Sequence, residues 1–286
     1  MSDADADAVT QSMIDRFNAR ARDYDTWWAP VLAETARTLI DYVEWYAGGP
    51  PPDGSTVLEL GTGSGTLAGA VLERWPATSL IATDVASVML EMAREKTAAA
   101  GGQRVSYIEA PAASVPLSDG SIDLVVSSFV LQLVPDRLAA LREGHRLLRP
   151  GGVFAYVTWV TANDDGFLPA VEFDEAVLDL EIDEAADDDR GKVAGDLASA
   201  GAAAKQLRKA GFKDVVARED ELAYDWTYES YLDYKFAYDE TALMSELTPS
   251  KQEELQRRAR DRLSPLDPEA FHWRTPVVFA AARKSR

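Results

Sequence analysis

The chain has 286 residues, and its 29 lysine and arginine residues are outnumbered by 48 aspartate and glutamate residues, which gives a formal net charge of −19. Because nucleic acids and anionic membranes are bound by clusters of positive charge, this balance argues against both as partners. The chain has no cysteine and 2 histidines, which excludes disulfides and argues against a bound metal. Since the N-terminus is acidic and no run of about 18 apolar residues occurs, we predict a cytoplasmic protein.

Two stretches of helical periodicity precede the glycine- and proline-rich segment at residues 48–54 (GGPPPDG). An aromatic segment at residues 17–28 (FNARARDYDTWW) joins them. We predict that residues 1–52 form a helical N-terminal cap and that the core of the fold begins at residue 53. The aromatic side chains of the joining segment either pack inside the cap or face a ligand, and the pattern leaves both open.

A buried strand, a glycine turn and a helix are predicted in succession at residues 57–67 (VLELGTGSGTL). Gly61, Gly63 and Gly65 can adopt positive φ and leave room for a ligand on the backbone, beside the unpaired N–H groups of the helix. A dinucleotide turn needs a third small residue where Thr66 stands, so a nicotinamide-dependent oxidoreductase is the less favoured alternative. A turn with only a structural role also stays open.

A second strand at residues 79–84 (SLIATD) ends in Asp84, about 20 residues beyond the glycine turn. At that distance an acid accepts hydrogen bonds from both hydroxyls of a ribose, whereas a helix N-cap is the alternative role. Further strands at residues 104–109, 124–128 and 153–159 alternate with helices. This alternation predicts an α/β fold with a doubly wound, mostly parallel sheet.

Four segments are similar, in order and in spacing, to the motifs of class I S-adenosylmethionine-dependent methyltransferases of the small-molecule type. They are residues 59–65 (ELGTGSG), 84–90 (DVASVML), 122–136 (IDLVVSSFVLQLVPD) and 148–152 (LRPGG). The resemblance implies a Rossmann-like fold with a seven-stranded sheet, S-adenosylmethionine as the cofactor, and in-line methyl transfer to an O, N or C atom of a small molecule. A non-catalytic nucleotide-binding or interaction protein of the same fold stays an alternative.

The resemblance also implies cofactor contacts at individual positions. The expected contacts are Glu59, Gly61, Thr62, Gly63, Gly65, Asp84, Val85, Met89, Pro111, Ala112, Ser127, Ser128 and Phe129. The last three are expected beside the sulfonium. Relatives usually carry an aspartate toward the adenine where this chain has Pro111, so adenine recognition must use backbone groups near Ala112 or the hydroxyl of Ser114.

The C-terminal part is predicted to alternate between insertions and the core. Residues 163–200 form an acidic helical insertion, whose acids are a solvated face and not a metal site. Residues 201–219 return to the core as a helix and a strand. Residues 220–274 form a helical, aromatic lid insertion, and residues 275–286 contain the final strand of the core.

Catalysis and acceptor binding are assigned to aromatic residues outside the cofactor motifs. The candidate catalytic residues are Tyr24 and His272, and the candidate substrate contacts are Trp28, Tyr228, Tyr231 and Trp273. For each of them, packing inside the protein is the open alternative. We expect residues 1–46 and 220–274 to form a mobile cover over the acceptor, which is planar and apolar or cationic. Both a monomer and a homodimer are compatible with the sequence.

Overall fold

A computed structural model describes residues 3–161, 166–180 and 193–286. The chain divides into two compact units. Of the described residues, 3–161, 193–220 and 276–286 belong to the first unit, and 166–180 and 221–275 belong to the second. No helix in these described ranges has both the length and the hydrophobicity needed to cross a bilayer.

Among the described residues, seven strands form one sheet. They are β1 (Thr56–Leu60), β2 (Ser79–Asp84), β3 (Val105–Glu109), β4 (Ile122–Ser128), β5 (Leu148–Trp159), β6 (Lys213–Asp225) and β7 (His272–Arg283). Their order is β3-β2-β1-β4-β5-β7-β6. The pairs β1–β2, β1–β4, β2–β3 and β4–β5 are parallel, and β7 runs antiparallel to β5. The predicted seven-stranded, mostly parallel sheet is confirmed.

The strand order reverses between β1 and β4. From β1 the chain moves outward to β2 and β3, and it then returns to place β4 on the other side of β1. The loops that follow β1 and β4 therefore diverge, and a crevice for ligands opens at such a switch point. Apolar residues allow both strands to lie in the middle of the sheet; Val57, Leu58, Val125 and Val126 are fully buried.

Helices cover the sheet and build the second unit. In chain order they are α1 (Asp3–Asp23), α2 (Ala29–Ala47), α3 (Thr66–Arg74), α4 (Ser87–Gly101), α5 (Arg137–Leu147), α6 (Leu168–Leu178), α7 (Ala200–Lys209), α8 (Tyr228–Tyr234), α9 (Thr241–Glu246) and α10 (Pro249–Leu263). A turn of π-helix at Tyr24–Trp28 joins α1 to α2. Gly48, with φ of 84°, ends α2 in the left-handed conformation that glycine adopts without cost.

The second unit contains α6, α8, α9 and α10 and has an aromatic core. The ring of Tyr231 lies 5.4 Å from Phe167, 5.8 Å from Trp226 and 6.1 Å from Phe271, all edge to face. Edge-to-face geometry is the favoured arrangement of packed aromatic side chains. Because Tyr231 is only 4% exposed, packing explains its conformation.

The structure corrects the predicted boundaries of the C-terminal elements. Residues 220–225, predicted to begin a helical insertion, continue β6, in which Leu222 is buried and its neighbours are not. The final strand begins at His272 and not at residue 275. The helix predicted within residues 163–200 is α6, but most of the acidic run, residues 181–189, lies outside the described residues. Of its described acids, Glu172 and Asp179 pair with Arg262 of α10 at 3.0 and 2.9 Å.

Candidate active site

A cavity of about 310 Å³ lies in the first unit, at the carboxyl ends of the parallel strands. Its walls are the glycine turn after β1, the residues that follow β2 and β3, the loop after β4, and side chains from α1, α2 and the π-helical turn. Its volume is at the lower end of the range of roughly 300–1,000 Å³ that is typical of small-molecule sites. The cavity coincides with the switch point of the sheet.

The glycine turn has positive φ at three positions, for different reasons. A Cβ atom on Gly61 (φ 71°) would lie 2.3 Å from Val130 Cγ2, and one on Gly65 (φ 89°) would lie 2.9 Å from Ala93 Cα. Close packing therefore requires both glycines. Gly65 is not among the residues that line the cavity, and its role as a cofactor contact stays a prediction. At Gly63 (φ 52°), Tyr24 is the one described residue beyond the chain neighbours that a Cβ atom would have within 4 Å, at 3.9 Å, so the backbone of Gly63 borders open space.

Asp84 lies at the end of β2 with both carboxylate oxygens oriented by backbone donors. The N–H of Gly63 donates to Oδ2 at 2.8 Å, and the N–H of Ala86 donates to Oδ1 at 3.0 Å. The helix α4 has Ala86 as its N-cap, so Asp84 does not cap it. A carboxylate has about four acceptor positions, which leaves room for two hydroxyl donors. Burial raises the pKa of Asp84, against the lowering effect of these backbone hydrogen bonds.

Glu59 is a second acid of the cavity wall, and it is 1% exposed. The hydroxyl of Thr62 donates to its Oε2 at 2.8 Å. Burial raises the pKa of Glu59 to about 8, and the nearby charge of Asp84 contributes in the same direction. At neutral pH the side chain is therefore mostly a neutral carboxylic acid.

The expected nucleobase end is apolar. Val85, Met89, Pro111 and Ala112 all line the cavity, as does the neighbouring Ala113. The N–H of Ala110 donates to the Asp84 carbonyl at 2.9 Å, so the residues after β3 follow the end of β2 closely. Ser114, the alternative partner for adenine, is not among the lining residues.

At the end of β4, successive side chains take different directions. Ser128 and Phe129 line the cavity. Ser127 is fully buried and donates through Oγ to the Leu60 carbonyl at 2.9 Å, which corrects its expected place beside the sulfonium. The cause is the alternation of side chains along a strand, which turns adjacent residues to opposite faces. Phe129 has a φ of 53°, and its ring lies 4.2 Å from that of Trp159.

Residues 1–52, the predicted N-terminal cap, contribute several lining residues. Tyr24 was assigned here from the sequence, and it lines the cavity. Sequence reasoning missed Thr10, Met13 and Phe17 on α1 and Leu32 and Ala36 on α2. Their spacings of three and four residues mark one face of each helix, but such spacing does not tell whether a face meets a core or a ligand.

Two contacts position α1 and the π-helical turn beside the cavity. The Asn18 side chain accepts a hydrogen bond from the N–H of Val88 at 3.1 Å, at the start of α4. Lys96 pairs with Asp25 and lies 3.4 Å from the hydroxyl of Ser64 in the glycine turn. Neighbouring Trp28 does not line the cavity; its ring lies 6.4 Å from that of Trp159.

The remaining candidates belong to the second unit. His272 Nδ1 lies 2.7 Å from Asp225 Oδ1, and Arg274 donates to the same oxygen at 3.0 Å. The ring of Tyr228 lies edge to face with Phe271 at 6.3 Å, and that of Trp273 lies 6.4 Å from Phe167. Like Tyr231, none of these is among the residues that line the cavity. Their catalytic and substrate roles stay predictions.

Residues 57–152 match a family model described as a methyltransferase domain. A demethylmenaquinone methyltransferase of Thermus thermophilus is 41% identical over 96 residues, which are 34% of this chain and 43% of the relative. A malonyl-[acyl-carrier protein] O-methyltransferase of Methylococcus capsulatus is 34% identical over 143 residues, 50% of each protein. The chain thus spans half or less of the length of these curated relatives.

Solved structures are similar over more of the chain. The phosphoethanolamine N-methyltransferase 2 of Haemonchus contortus, in complex with phosphomonomethylethanolamine and S-adenosylhomocysteine, has a TM-score of 0.51 at 18% sequence identity. The match covers 86% of this chain and 52% of that protein. At this identity the similarity shows the fold alone, a Rossmann-like methyltransferase fold.

Proposed function

We propose that the chain transfers a methyl group from S-adenosylmethionine to an O, N or C atom of a small acceptor, because residues 57–152 match a methyltransferase domain model and resemble proteins named as methyltransferases. One observation carries the proposal: the cavity joins the open backbone at Gly63 to the oriented carboxylate of Asp84. A turn that accepts the amino acid portion and an acid that accepts ribose hydroxyls are the two contacts that this cofactor needs.

The chain's own residues hold the cofactor and orient it. Gly63 leaves space for the amino acid portion, Asp84 accepts from the ribose hydroxyls, and Val85, Met89 and Pro111 contact the nucleobase. When bound, S-adenosylmethionine supplies an electrophilic methyl group on its sulfonium. The task left to the protein is alignment of the acceptor and exclusion of water, and alignment alone can contribute roughly 7–11 kcal/mol.

The acceptor is proposed to be uncharged or cationic and largely apolar. Apolar side chains of α1, α2 and the loop after β4 line the cavity, among them Met13, Phe17 and Leu133. The ionised or ionisable carboxyl groups of the lining are Glu59, Asp84 and Asp136, and none of the described lining residues is lysine or arginine. A carboxylate or phosphate on the acceptor would be repelled, whereas an ammonium group or a neutral ring would be tolerated.

The test is calorimetry of the purified chain with S-adenosylmethionine, S-adenosylhomocysteine and NAD. We expect one molecule of either sulfur ligand to bind per chain and NAD to give no heat. Binding of NAD instead would favour the oxidoreductase, and binding of none of the three would favour the non-catalytic alternative. The acceptor can then be identified with labelled S-adenosylmethionine, by measuring which neutral, cationic or anionic small molecules receive the labelled methyl group.

The cover over the acceptor, residues 1–46 and 220–274, is part of the proposal. The lining residues on α1 and α2 support its N-terminal half, while the second half rests on the resemblance. A cover must open to release product, so it should exchange amide hydrogens faster than the central strands and gain protection on binding. Hydrogen exchange with and without S-adenosylhomocysteine measures this. Segments as protected as β1 and β4 in the free protein, and unchanged by the ligand, would contradict a mobile cover.

A further inference from the structure

The end of β4 and the loop between β4 and α5 form one wall of the cavity through residues 128–130 and 133–136. Gln132 lies in the middle of this wall but is not among the lining residues, and it is only 6% exposed. Its side chain is therefore directed into the protein. A buried carboxamide has to satisfy both a donor and an acceptor, so its partners reveal what it does.

The Gln132 side chain connects the loop to the next strand. Its Nε2 donates to the carbonyl oxygen of Phe129 at 2.7 Å, and its Oε1 accepts from the hydroxyl of Thr158 in β5 at 2.6 Å. The orientation of the amide is unambiguous because a carbonyl can only accept a hydrogen bond. Thr158 is fully buried, so water does not compete for either bond.

The carbonyl that Gln132 holds belongs to a residue in an unfavourable conformation. Phe129 has a φ of 53°, in the left-handed region that side chains with a Cβ atom rarely adopt. Such a conformation persists only when its surroundings impose it. The N–H of Phe129 donates to the Val157 carbonyl at 2.9 Å. Both backbone polar groups of Phe129 are therefore hydrogen-bonded, the N–H to β5 and the carbonyl to the Gln132 side chain.

The backbone on either side of Gln132 is held as well. The N–H of Gly195 donates to the Gln132 carbonyl at 2.9 Å, and the N–H of Ala194 donates to the Val134 carbonyl at 2.8 Å. The buried guanidinium of Arg137 donates to the carbonyls of Leu131 and Gly195. The loop is thus anchored at several points, and the Gln132 side chain is the anchor that holds the Phe129 carbonyl.

We propose that Gln132 is a positioning residue that holds Phe129 in its left-handed conformation and thereby sets the wall of the cavity where the cofactor and the acceptor meet. This rests on the proposed function of the cavity. Without the amide, Phe129 relaxes toward negative φ, and the ring leaves its contact with Trp159. The cavity then loses the wall that faces the ligand, although Gln132 itself does not touch it.

The first test is the affinity for S-adenosylhomocysteine, measured by calorimetry on the full chain. Gln132→Leu should weaken it about 5- to 10-fold, the factor expected for one lost hydrogen bond. Thr158→Val leaves the hydrogen bond from Gln132 to the Phe129 carbonyl in place and should weaken the affinity for S-adenosylhomocysteine less than about threefold. The matched control is Gln206→Leu on α7, since the buried Gln206 Oε1 accepts no hydrogen bond from any described residue; this variant should bind as wild type.

The second test separates positioning from a general loss of packing. Glycine adopts a φ of 53° without strain, so Phe129→Gly removes the need for an anchor. If Gln132 acts through Phe129, Gln132→Leu should change the affinity of the Phe129→Gly protein by less than about twofold. An equal loss in both backgrounds, or no loss in the wild-type background, would overturn the proposal.

A third measurement does not depend on any ligand. In the free protein the amides of residues 129–134 should exchange faster in Gln132→Leu than in wild type or in Gln206→Leu, since the loop has lost its anchor. Unchanged exchange would overturn the positioning role even if the cavity binds the cofactor. A different outcome is that the wild-type protein does not bind the ligand while exchange is still faster in Gln132→Leu. That result would reject the proposed function and leave Gln132 as an anchor of the loop.

Discussion

The cavity of the first unit and the Lys235 cluster of the second unit use buried polar groups in opposite ways. Lys235 has 7% of its side chain exposed and donates to Asp239 at 2.6 Å and to Glu240 at 2.7 Å. Its ammonium also lies 4.4 Å from the centre of the Phe173 ring. Although burial lowers the pKa of Lys235, the two carboxylates raise it above its ordinary value. In this cluster each charge stabilises another.

The acids of the cavity are held instead by neutral donors. Asp84 accepts from the N–H groups of Gly63 and Ala86, and Glu59 accepts from the hydroxyl of Thr62. Burial raises the pKa of both acids. Acids whose pKa is raised in a cavity are characteristic of binding and catalytic sites, because the fold alone gains little from them. Changes in the cavity should therefore affect binding, and changes in the cluster should affect stability.

The largest effect on binding is expected from Gly63→Val. The new side chain would occupy the space above the turn and would be strained at a φ of 52°. Thermal melts should show that the midpoint no longer rises with S-adenosylhomocysteine, because a ligand raises it only by binding the folded state.

The matched control for this change is Gly69→Val on α3, where an added Cβ atom would meet no described residue within 4 Å apart from the backbone of its own helix and its chain neighbours. Its midpoint should still rise with the ligand. A normal rise in the Gly63 variant would remove the glycine turn from the cofactor site.

The largest effect on stability is expected from Lys235→Met. The substitution keeps the apolar stem and removes the ammonium, which leaves Asp239 and Glu240 facing each other. We expect a loss of about 2–4 kcal/mol in the free energy of unfolding, toward the lower end because both acids are partly exposed. Urea denaturation gives the value, and calorimetry should find a smaller loss of affinity for S-adenosylhomocysteine than Asp84→Ala causes. A loss as large as that of Asp84→Ala in a folded variant would contradict the separation of the two regions.

Asp84→Ala should act mainly on binding. The change removes the charge-assisted acceptors for the ribose, and the affinity for S-adenosylhomocysteine should fall by about 1.5–3 kcal/mol. The matched control is Asp123→Ala in β4, an acid that accepts from the N–H of Thr56 and pairs with Arg149, and that does not line the cavity. That variant should bind normally. An equal affinity of the Asp84 variant and wild type would show that the carboxylate serves the turn and not the cofactor.

A further effect is a change in the pH dependence of stability in Glu59→Gln. With a pKa of about 8 in the folded state and an ordinary value of 4.5 when unfolded, Glu59 keeps a proton that the unfolded chain releases. Its contribution to stability is therefore lost progressively as the pH rises from 4.5 to 8. Urea denaturation at pH 5, 6.5 and 8 should show that the variant gains stability relative to wild type as the pH rises.

Glu143→Gln is the control with the opposite sign. Burial alone would raise the pKa of Glu143, but hydrogen bonds from Arg146 and from the N–H of Val115 lower it below its ordinary value. Its stabilising contribution is therefore constant between pH 5 and 8 and is lost only at lower pH. The Glu143→Gln substitution should reduce the free energy of unfolding by the same amount at pH 5, 6.5 and 8. If the free energy of unfolding of the Glu59 variant also differs from that of wild type by the same amount at all three pH values, Glu59 is ionised in the folded protein.

Much of the proposed cofactor half of the site was predictable because it is local in the chain. The strand, turn and helix of residues 57–67 and the acid at the end of β2 have recognisable patterns over short stretches. The positions of Gly63 and Asp84 in one cavity follow from two parallel strands side by side. The same reasoning placed Ser127 wrongly relative to the cavity, because a motif names neighbours without saying which face of the strand each one takes.

The proposed acceptor half was less predictable because its residues meet only through long-range packing. Met13 and Phe17 line the cavity since α1 lies on the start of α4, where Asn18 bonds to Val88. Tyr231 belongs to an aromatic stripe with the same kind of spacing, yet it is packed inside the second unit. Helical periodicity identifies an apolar face, but the partner of that face depends on the rest of the fold.

By itself the sequence determined the class of the fold, the glycine turn and the acid that follows the second strand, because local hydrophobic patterns and backbone requirements specify them. Only the tertiary structure decided that Gly65 serves packing while Gly63 borders the cavity, and that Gln132 reaches from Phe129 to Thr158. The physical reason is distance along the chain: contacts between residues brought together by the sheet depend on how whole elements pack, and no short stretch of sequence carries that information.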